Sequence, residues 1–398
     1  MVVGWDWAST THDVTVIDHA GRIVDRWAPE HTETGLDQTL ARLASHGPPE
    51  QLPVAIERPS GLVVERLLAA GHPVIPIHPN AFHVTRPRWG AAGAKSDPGD
   101  SYKLADYLRT DGHRLRRLRP LDAATRQLQA LARVRDDHVA AKTAASNQLG
   151  ALLEAHWPGA KQVFSRLGSQ IALAFLNAYP TPESAARLGE ARLAAFCRRH
   201  SYRGGRSPAE LLQRLRAAPT APVGLAPEVL NELVGAQVRL LRTLLGTIAD
   251  LDRALGAGLL GHAKTELLAP LPRIGEVNLA QVVAEVGPIL DRAGDVEHAS
   301  AECGATPVTR ASGKTKAVAF RWAANTKARQ ALTTFASNSR HSSPWAAALY
   351  ADARRRGKHH PHAVRILARA WLRVIWACWH TNTVYDPAKH GAEKRLAA

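Results

Sequence analysis

Short apolar runs separated by turn residues open this chain, and helical spacing takes over after about residue 100. VVGWDWA, DVTVID and RIVDRWA are β-like runs joined by turn-prone residues and predict a three-strand meander. TGLDQTLARLASHG has the three- and four-residue apolar spacing of an amphipathic helix and stops at glycine. LPVAIE predicts a buried strand, GLVVERLLAAG a second helix, and HPVIPIHP a further strand. A helical pattern begins again within KSDPGDSYKLADYLR.

The predicted order βββαβαβα is that of the ribonuclease H-like fold, in which the first and fourth strands are neighbours. The first strand carries Asp6 in its middle and the fourth ends at Glu57, so the two carboxylates are expected side by side. An acid inside an apolar strand is costly unless it is paired or bound to metal. Asp97 and Asp100 follow, one helical turn apart. Four carboxylates in this arrangement predict a divalent-metal site, because Mg²⁺ takes a few hard oxygen ligands plus substrate phosphates. Two such ions clamp the attacking and leaving oxygens of a phosphoryl transfer. Asp97 precedes Pro98 and fits equally well as a helix cap with proline at the first helical position. Asp13 and Asp106 are the nearest competitors. Asp106 lies about 600° around the helix from Asp100 and faces away from it.

Beyond the basic segment HRLRRLRP, residues 113–120, a long helix is expected over LDAATRQLQALARVRDDHVAAKTAASNQLGALLEAHWPG. A second covers roughly 227–256, and the pair reads as an antiparallel coiled coil or dimerising stalk. Residues 158–226 between them read as several short helices, to which no chemistry is assigned. LAPLPRIGEVNLAQVVAEVG has the layout of a helix-hairpin-helix, and its turn at Gly275 suits a DNA phosphate. Ser312 then falls in a Ser-Gly turn among Arg310, Lys314, Lys316 and Arg321, with two helices to follow.

Charge narrows the partners. Lys and Arg number 51 against 35 Asp and Glu, a formal +16, which favours a polyanion, above all nucleic acid. Lys95, Arg114, Arg116, Arg117, Arg354, Arg355, Arg356 and Lys358 join the residues around Ser312 as the expected phosphate contacts. Cys197, Cys303 and Cys378 are far apart, which argues for a reducing compartment and against a disulfide framework or zinc finger. His359, His360 and His362 surround Pro361 without a cysteine partner and fit a solvated or phosphate-facing loop better than zinc. The N-terminus lacks a signal-peptide pattern, and Arg365, Arg369 and Arg373 make AVRILARAWLRVIWACW a poor membrane span. A bacterial cytoplasmic, nucleoid-associated protein is the expectation. No Arg…His-x-x-Arg…Tyr series of a tyrosine recombinase stands near the C-terminus.

Two groups of motifs point to one family. The first is the four acids with the KSDPGD box and LADYLRTDGHRL; the second is PRIG…EVG, GATPVTRASGK, RRRGK and a long C-terminal helix. Together they resemble the bacterial insertion-sequence transposases of the DEDD type, relatives of the Piv DNA invertase known as bridge-RNA-guided recombinases. The resemblance spans nearly the whole chain. It implies an α/β RuvC-like domain at 1–115, a helical coiled-coil region with an insertion at 116–262, a helical transposase domain at 263–385, and a tail at 386–398. It implies that Asp6, Glu57, Asp97 and Asp100 are the metal-binding DEDD tetrad, served by Mg²⁺ or Mn²⁺, and that Ser312 is the nucleophile. Acids and serine would work at one composite site, with the serine joined to a DNA 5′-phosphate. It further implies donor and target DNA, a structured noncoding bridge RNA and a homo-oligomer, dimer or tetramer, as partners. One departure is ERPSG after Glu57, where many relatives have glycine one residue closer to the acid. The group that activates Ser312 stays open between a lysine and a metal-bound water. The alternative function is a RuvC-like Holliday-junction nuclease that cuts without rejoining and needs no serine.

Overall fold

The structure, a computed structural model, describes residues 1–90, 97–221, 224–313 and 315–390. Lys95 and Lys314 therefore lie outside the described residues, as do the side chains of Asp97 and Lys316 and the tail from 391. The chain forms two compact units, Met1–Leu121 and Asp122–Ala398.

In the first unit, β1 (Val2–Asp6), β2 (Asp13–Ile17) and β3 (Ile23–Trp27) make an antiparallel meander. β4 (Val54–Ile56) joins β1 in parallel and β5 (Val74–Pro76) joins β4, giving the order β3-β2-β1-β4-β5. The intervening helices are α1 (Glu33–Ala44), α2 (Leu62–Ala69), α3 (Pro79–Thr85) and α4 (Asp97–Asp111). Strand alternation sorts the side chains into two layers. Val3, Trp5, Val14, Val16, Val54 and Ile56 form one core with Leu36 and Leu43 of α1 and Val63 and Leu67 of α2. On the opposite face Ala55 and Ile75 pack with Phe82 of α3 and Leu104 and Leu108 of α4.

Asp6 is the last residue of β1 and not in its middle as expected. The β1–β2 ladder closes at the pair Asp6↔Asp13. The chain then turns, and the Ala8 N–H donates to His12 Nδ1 at 3.2 Å.

α4 lies directly on β1 at Gly4. A Cβ there would come within 1.9 Å of the Ser101 carbonyl oxygen and 2.6 Å of the Ala105 nitrogen, so only glycine allows the approach. The Thr15 and Ser101 hydroxyls hydrogen-bond at 2.7 Å beside this contact. Farther along α4, Tyr102 donates to the Gly21 carbonyl at 3.2 Å and Arg109 to the His19 carbonyl at 3.3 Å, both in the β2–β3 turn. That turn lies at the start of β1, since Val2 pairs with Ile17. α4 therefore runs antiparallel to β1, and its first turn lies toward the end where Asp6 sits. Gly4→Ala is expected to cost about 3 kcal/mol through overpacking. Denaturant unfolding checks this; an unchanged midpoint would mean that the helix moves away freely.

In the second unit, α5 (Ala123–His156) and α11 (Pro227–Leu260) pair antiparallel. Leu128 shares a core with Leu255 and Leu259 at one end, and Leu149 and Leu153 share another with Val234 and Val238. The second core also takes in five short helices, α6 (Pro158–Val163), α7 (Gln170–Ala178), α8 (Pro182–Ala185), α9 (Glu190–Arg199) and α10 (Pro208–Ala217).

The first core continues into α12 (Thr265–Leu268), α13 (Glu276–Gln281), a π turn at Val282–Val286, α14 (Gly287–Arg292) and α15 (Val296–Glu302). Gly275 caps α13 in ordinary extended backbone, and the left-handed residue of that turn is Arg273 at φ 58°. After α15 the sequence reading expected a turn and two helices. Instead a hairpin forms, β6 (Val308–Ser312) with β7 (Thr315–Ala319), followed by three helices: α16 (Thr326–Ser339), α17 (Pro344–Arg355) and α18 (His360–Thr381). VTRAS and TKAVA carry β-branched residues on either side of a Ser-Gly turn, which is the local signal for a hairpin. A last short helix, α19 (Pro387–His390), ends the described chain. Among the described residues no helix is long and apolar enough to cross a membrane.

Candidate functional site

The parallel register Val3↔Val54, Gly4↔Ala55, Trp5↔Ile56 carries Asp6 and Glu57 to the same level on adjacent strands. Alternation places both on the face that Gly4 and Ala55 present to α4. Both are half-buried. The first turn of α4, with Asp97 and Asp100, comes to this same end of the sheet. Asp100 is buried, 3% exposed, and it accepts from Arg86 Nη2 at 2.8 Å and Lys103 Nζ at 3.0 Å. Asp106 is a poor fourth acid: it accepts from Trp89 Nε1 and Arg109 Nε, each at 2.8 Å, on another side of the helix.

The donor set suits a hard divalent cation, since the carboxylates of Asp6, Glu57 and Asp100 belong to the strand ends and helix turn at one edge. Arg86 and Lys103 neutralise Asp100, so a bound cation would compete with them for it. Among the described residues, which exclude the Asp97 side chain, no three acids or histidines are gathered closely enough to hold an ion. Sequence reasoning missed Arg86 and Lys103; the i,i+3 spacing of Asp100 and Lys103 on one helix could have marked that pair, whereas nothing in the spacing marks Arg86.

The turn after Asp6 has its own support. Because Ala8 donates to Nδ1 of the fully buried His12, the His12 proton sits on Nε2 and points to His31 Nδ1 at 2.9 Å. Burial, and then His31, push the His12 imidazole down to about 4, so it stays neutral. Trp7 packs on both histidine rings, and the Arg58 guanidinium covers Trp7 at 3.8 Å from its centroid. This packing fixes the backbone on either side of Asp6 and Glu57.

In the second unit Ser312 ends β6 opposite Thr315, and Gly313 beside it takes φ +55°, a conformation glycine adopts freely. The serine is exposed. No histidine or carboxylate accepts its proton among the described residues. Arg310 is exposed on the same strand. Arg321 is tied to the hairpin base, its Nε donating to the Thr306 carbonyl at 3.0 Å and its Nη2 to the Pro307 carbonyl at 3.3 Å.

The remaining basic residues are surface groups. Arg114, Arg116 and Arg117 are exposed, with Leu115 and Leu118 tucked between them. Arg354, Arg355, Arg356 and Lys358 are exposed at the end of α17, where Asp352 pairs with Arg355 and Arg356. Arg365, Arg369 and Arg373 divide their work. Arg369 and Arg373 clamp Glu297 of α15 at 2.5 and 2.7 Å, whereas Arg365 lies over Phe320.

Carboxylates at one sheet edge and a separate basic helical unit define a DNA-processing enzyme, and sequence comparison makes the class a transposase. Residues 3–158 match a family described as transposase, of the DEDD type of IS110. Residues 265–351 match the transposase family IS116/IS110/IS902. A Streptomyces coelicolor protein named as the mini-circle transposase for IS117 is 33% identical over 99% of this chain and 97% of its own length. The uncharacterized 42 kDa protein of insertion element IS900 from Mycobacterium paratuberculosis is 28% identical over 97% of both chains. The uncharacterized 43.6 kDa protein of IS110 from Streptomyces coelicolor is 26% identical over 74% of this chain and 72% of its own. The chain belongs to the IS110/IS116/IS902 family of insertion-sequence transposases. Membership of a DEDD-type family implies dependence on a divalent metal and action on DNA.

Proposed function

We propose that this transposase cuts and rejoins DNA at the ends of its insertion sequence through a serine–DNA intermediate. The observation that supports this best is Ser312, exposed beside a glycine at the tip of a hairpin, in a chain that also carries the acid edge. A nuclease of the Holliday-junction type needs the acids alone and leaves that serine without a purpose.

Asp6, Glu57, Asp97 and Asp100 would hold Mg²⁺, with Mn²⁺ as a substitute of like coordination. The ion, when bound, stabilises charge on the transferring phosphoryl group. Ser312 Oγ attacks phosphorus as its proton leaves. The Oγ–P bond forms and the P–O3′ bond breaks, leaving a 5′-phosphoserine and a 3′-hydroxyl. Attack of a 3′-hydroxyl on the phosphoserine restores the diester and returns the proton to Ser312, so rejoining needs no ATP. Lys95, Arg310, Lys314, Lys316, Arg321 and the basic groups of the two surface runs would take the DNA phosphates.

A structured RNA carried with the element would select donor and target. The exposed row Val229, Leu233 and Leu240 on α11 suits self-association along the helix pair. The enzyme would then work as a dimer or tetramer on nucleoid DNA in the bacterial cytoplasm.

The test is a joining assay. The purified chain is incubated with transcribed element RNA, donor DNA, target DNA and Mg²⁺, and the junctions are sequenced. Joined junctions are expected, and they should vanish on chelation and return with Mg²⁺ or Mn²⁺. Cut ends with no junctions would favour the nuclease.

A further inference from the structure

A cavity of about 290 Å³ opens between the base of the β6–β7 hairpin and α18. Thr306, Phe320, Arg321, His362, Arg365 and Arg369 line it, and among the described residues no carboxylate does. Two cations lie against Phe320: the guanidinium of Arg329 stands 4.6 Å from its centroid and that of Arg365 stands 4.8 Å away. Arg369 spends its charge on Glu297. Among the described residues Arg329 donates only to the Arg321 carbonyl, at 2.7 Å. Arg365 has neither carboxylate nor carbonyl partner among the described residues. The buried Nε atoms of Arg329 and Arg369 and the Thr306 hydroxyl have no partner there either.

Burial, and then the charge of Arg329, pull Arg365 below its ordinary value. Half-buried cations crowded around one ring are costly without an anion between them. At the mouth, Trp322 is 82% exposed and meets Phe320 edge-on at 4.8 Å between centroids. A large aromatic left on the surface beside unpaired guanidiniums is the pairing that single-stranded nucleic acid uses, with a base on the ring and its phosphate on the cation.

We propose that this cavity is a nucleotide pocket, in which Arg365, aided by Arg321 and His362, takes one backbone phosphate while Trp322 stacks the adjoining unpaired base. The guanidinium fork suits two phosphate oxygens at once. The phosphate chemistry rests on the cavity itself; the choice of a nucleic-acid strand over free phosphate rests on the transposase reading.

The full chain, Arg365→Gln and Trp322→Ala are titrated with a labelled single-stranded oligonucleotide across a salt series. Each is also melted with and without inorganic phosphate. Arg365→Gln should bind about tenfold more weakly at low salt and lose about 0.7 from the slope of log K against log salt. Its melting midpoint without phosphate should equal or exceed that of the parent, because a repelled cation is gone; an arginine serving structure alone would lower it. Phosphate should raise the parent's midpoint and not that of Arg365→Gln. Trp322→Ala removes a surface ring, so it should melt normally and bind about tenfold more weakly. It supplies the answer if Arg365→Gln does not fold. Unchanged affinity in Trp322→Ala, or an unchanged salt slope in a folded Arg365→Gln, overturns the proposal. A parent that binds no oligonucleotide but shows the Arg365-dependent phosphate response would make this a free-phosphate pocket, and the nucleic-acid reading would be what failed.

Discussion

Asp6→Asn should abolish DNA joining, by about a thousandfold or more, while leaving the fold and nucleic-acid binding in place. The amide keeps the size of the carboxylate and its position at the end of β1, so only charge and metal affinity change. Glu57→Gln should behave alike, because the Trp5↔Ile56 register puts it at the same level on the next strand. Asp100→Asn should differ. Its carboxylate is buried between Arg86 and Lys103, so neutralising it also strands two cations, at about 3 kcal/mol. Joining assays on the three variants, beside thermal melts, separate the cases. Normal joining by Asp6→Asn would remove the acid edge from the mechanism. A melt of Asp100→Asn like that of the parent would show that its ion pairs carry no stability.

Ser312→Ala should lose the covalent protein–DNA adduct completely and joining by about ten-thousandfold, with affinity for RNA and DNA retained. The hydroxyl belongs to an exposed residue, so its removal should not move the melting midpoint. Trapping on a nicked suicide substrate followed by peptide mass spectrometry reads the result. An adduct mapped to another residue, or an undiminished adduct in Ser312→Ala, would refute the assignment. Joining by the parent without any adduct would transfer the chemistry to direct attack by water or a 3′-hydroxyl.

The alternation of apolar runs was enough to place the five strands and their order, because each is a short apolar run bounded by turn residues or charge, and all but the exposed β3 are buried. The two long helices were legible for the complementary reason: apolar residues at three- and four-residue spacing run on for more than thirty residues with no proline past the first position, and the scattered glycines do not interrupt them. Position along a strand was harder. Asp6 was expected mid-strand because VVGWDWA is apolar on both sides, but the strand ends where the Asp6↔Asp13 pair closes the ladder and His12 turns the chain. Long-range polar partners left no local trace. The pairing of Asp100 with Arg86 spans a helix junction, and the approach of Arg365 to Phe320 spans α16 and α17. The acids themselves stood out because charge inside apolar sequence is expensive. Ser312 stood out only through its neighbours and the family resemblance, since an isolated serine in a turn has many ordinary uses.

The β6–β7 hairpin carries almost nothing buried: four of the five residues of β6 are exposed. A lone two-stranded hairpin is marginal in water, and here Arg321 fastens only its base. The exposed end of β6 at Ser312 therefore gains most of its order from whatever surface lies against it. On the proposed serine mechanism, that ordering is drawn from substrate binding, and the Ser312 hydroxyl is held in reserve until that free energy is available. An enzyme that works through the proposed serine–DNA intermediate would benefit from this latency. It discourages attack on chance phosphates, and it makes commitment to cutting depend on an assembly already able to rejoin.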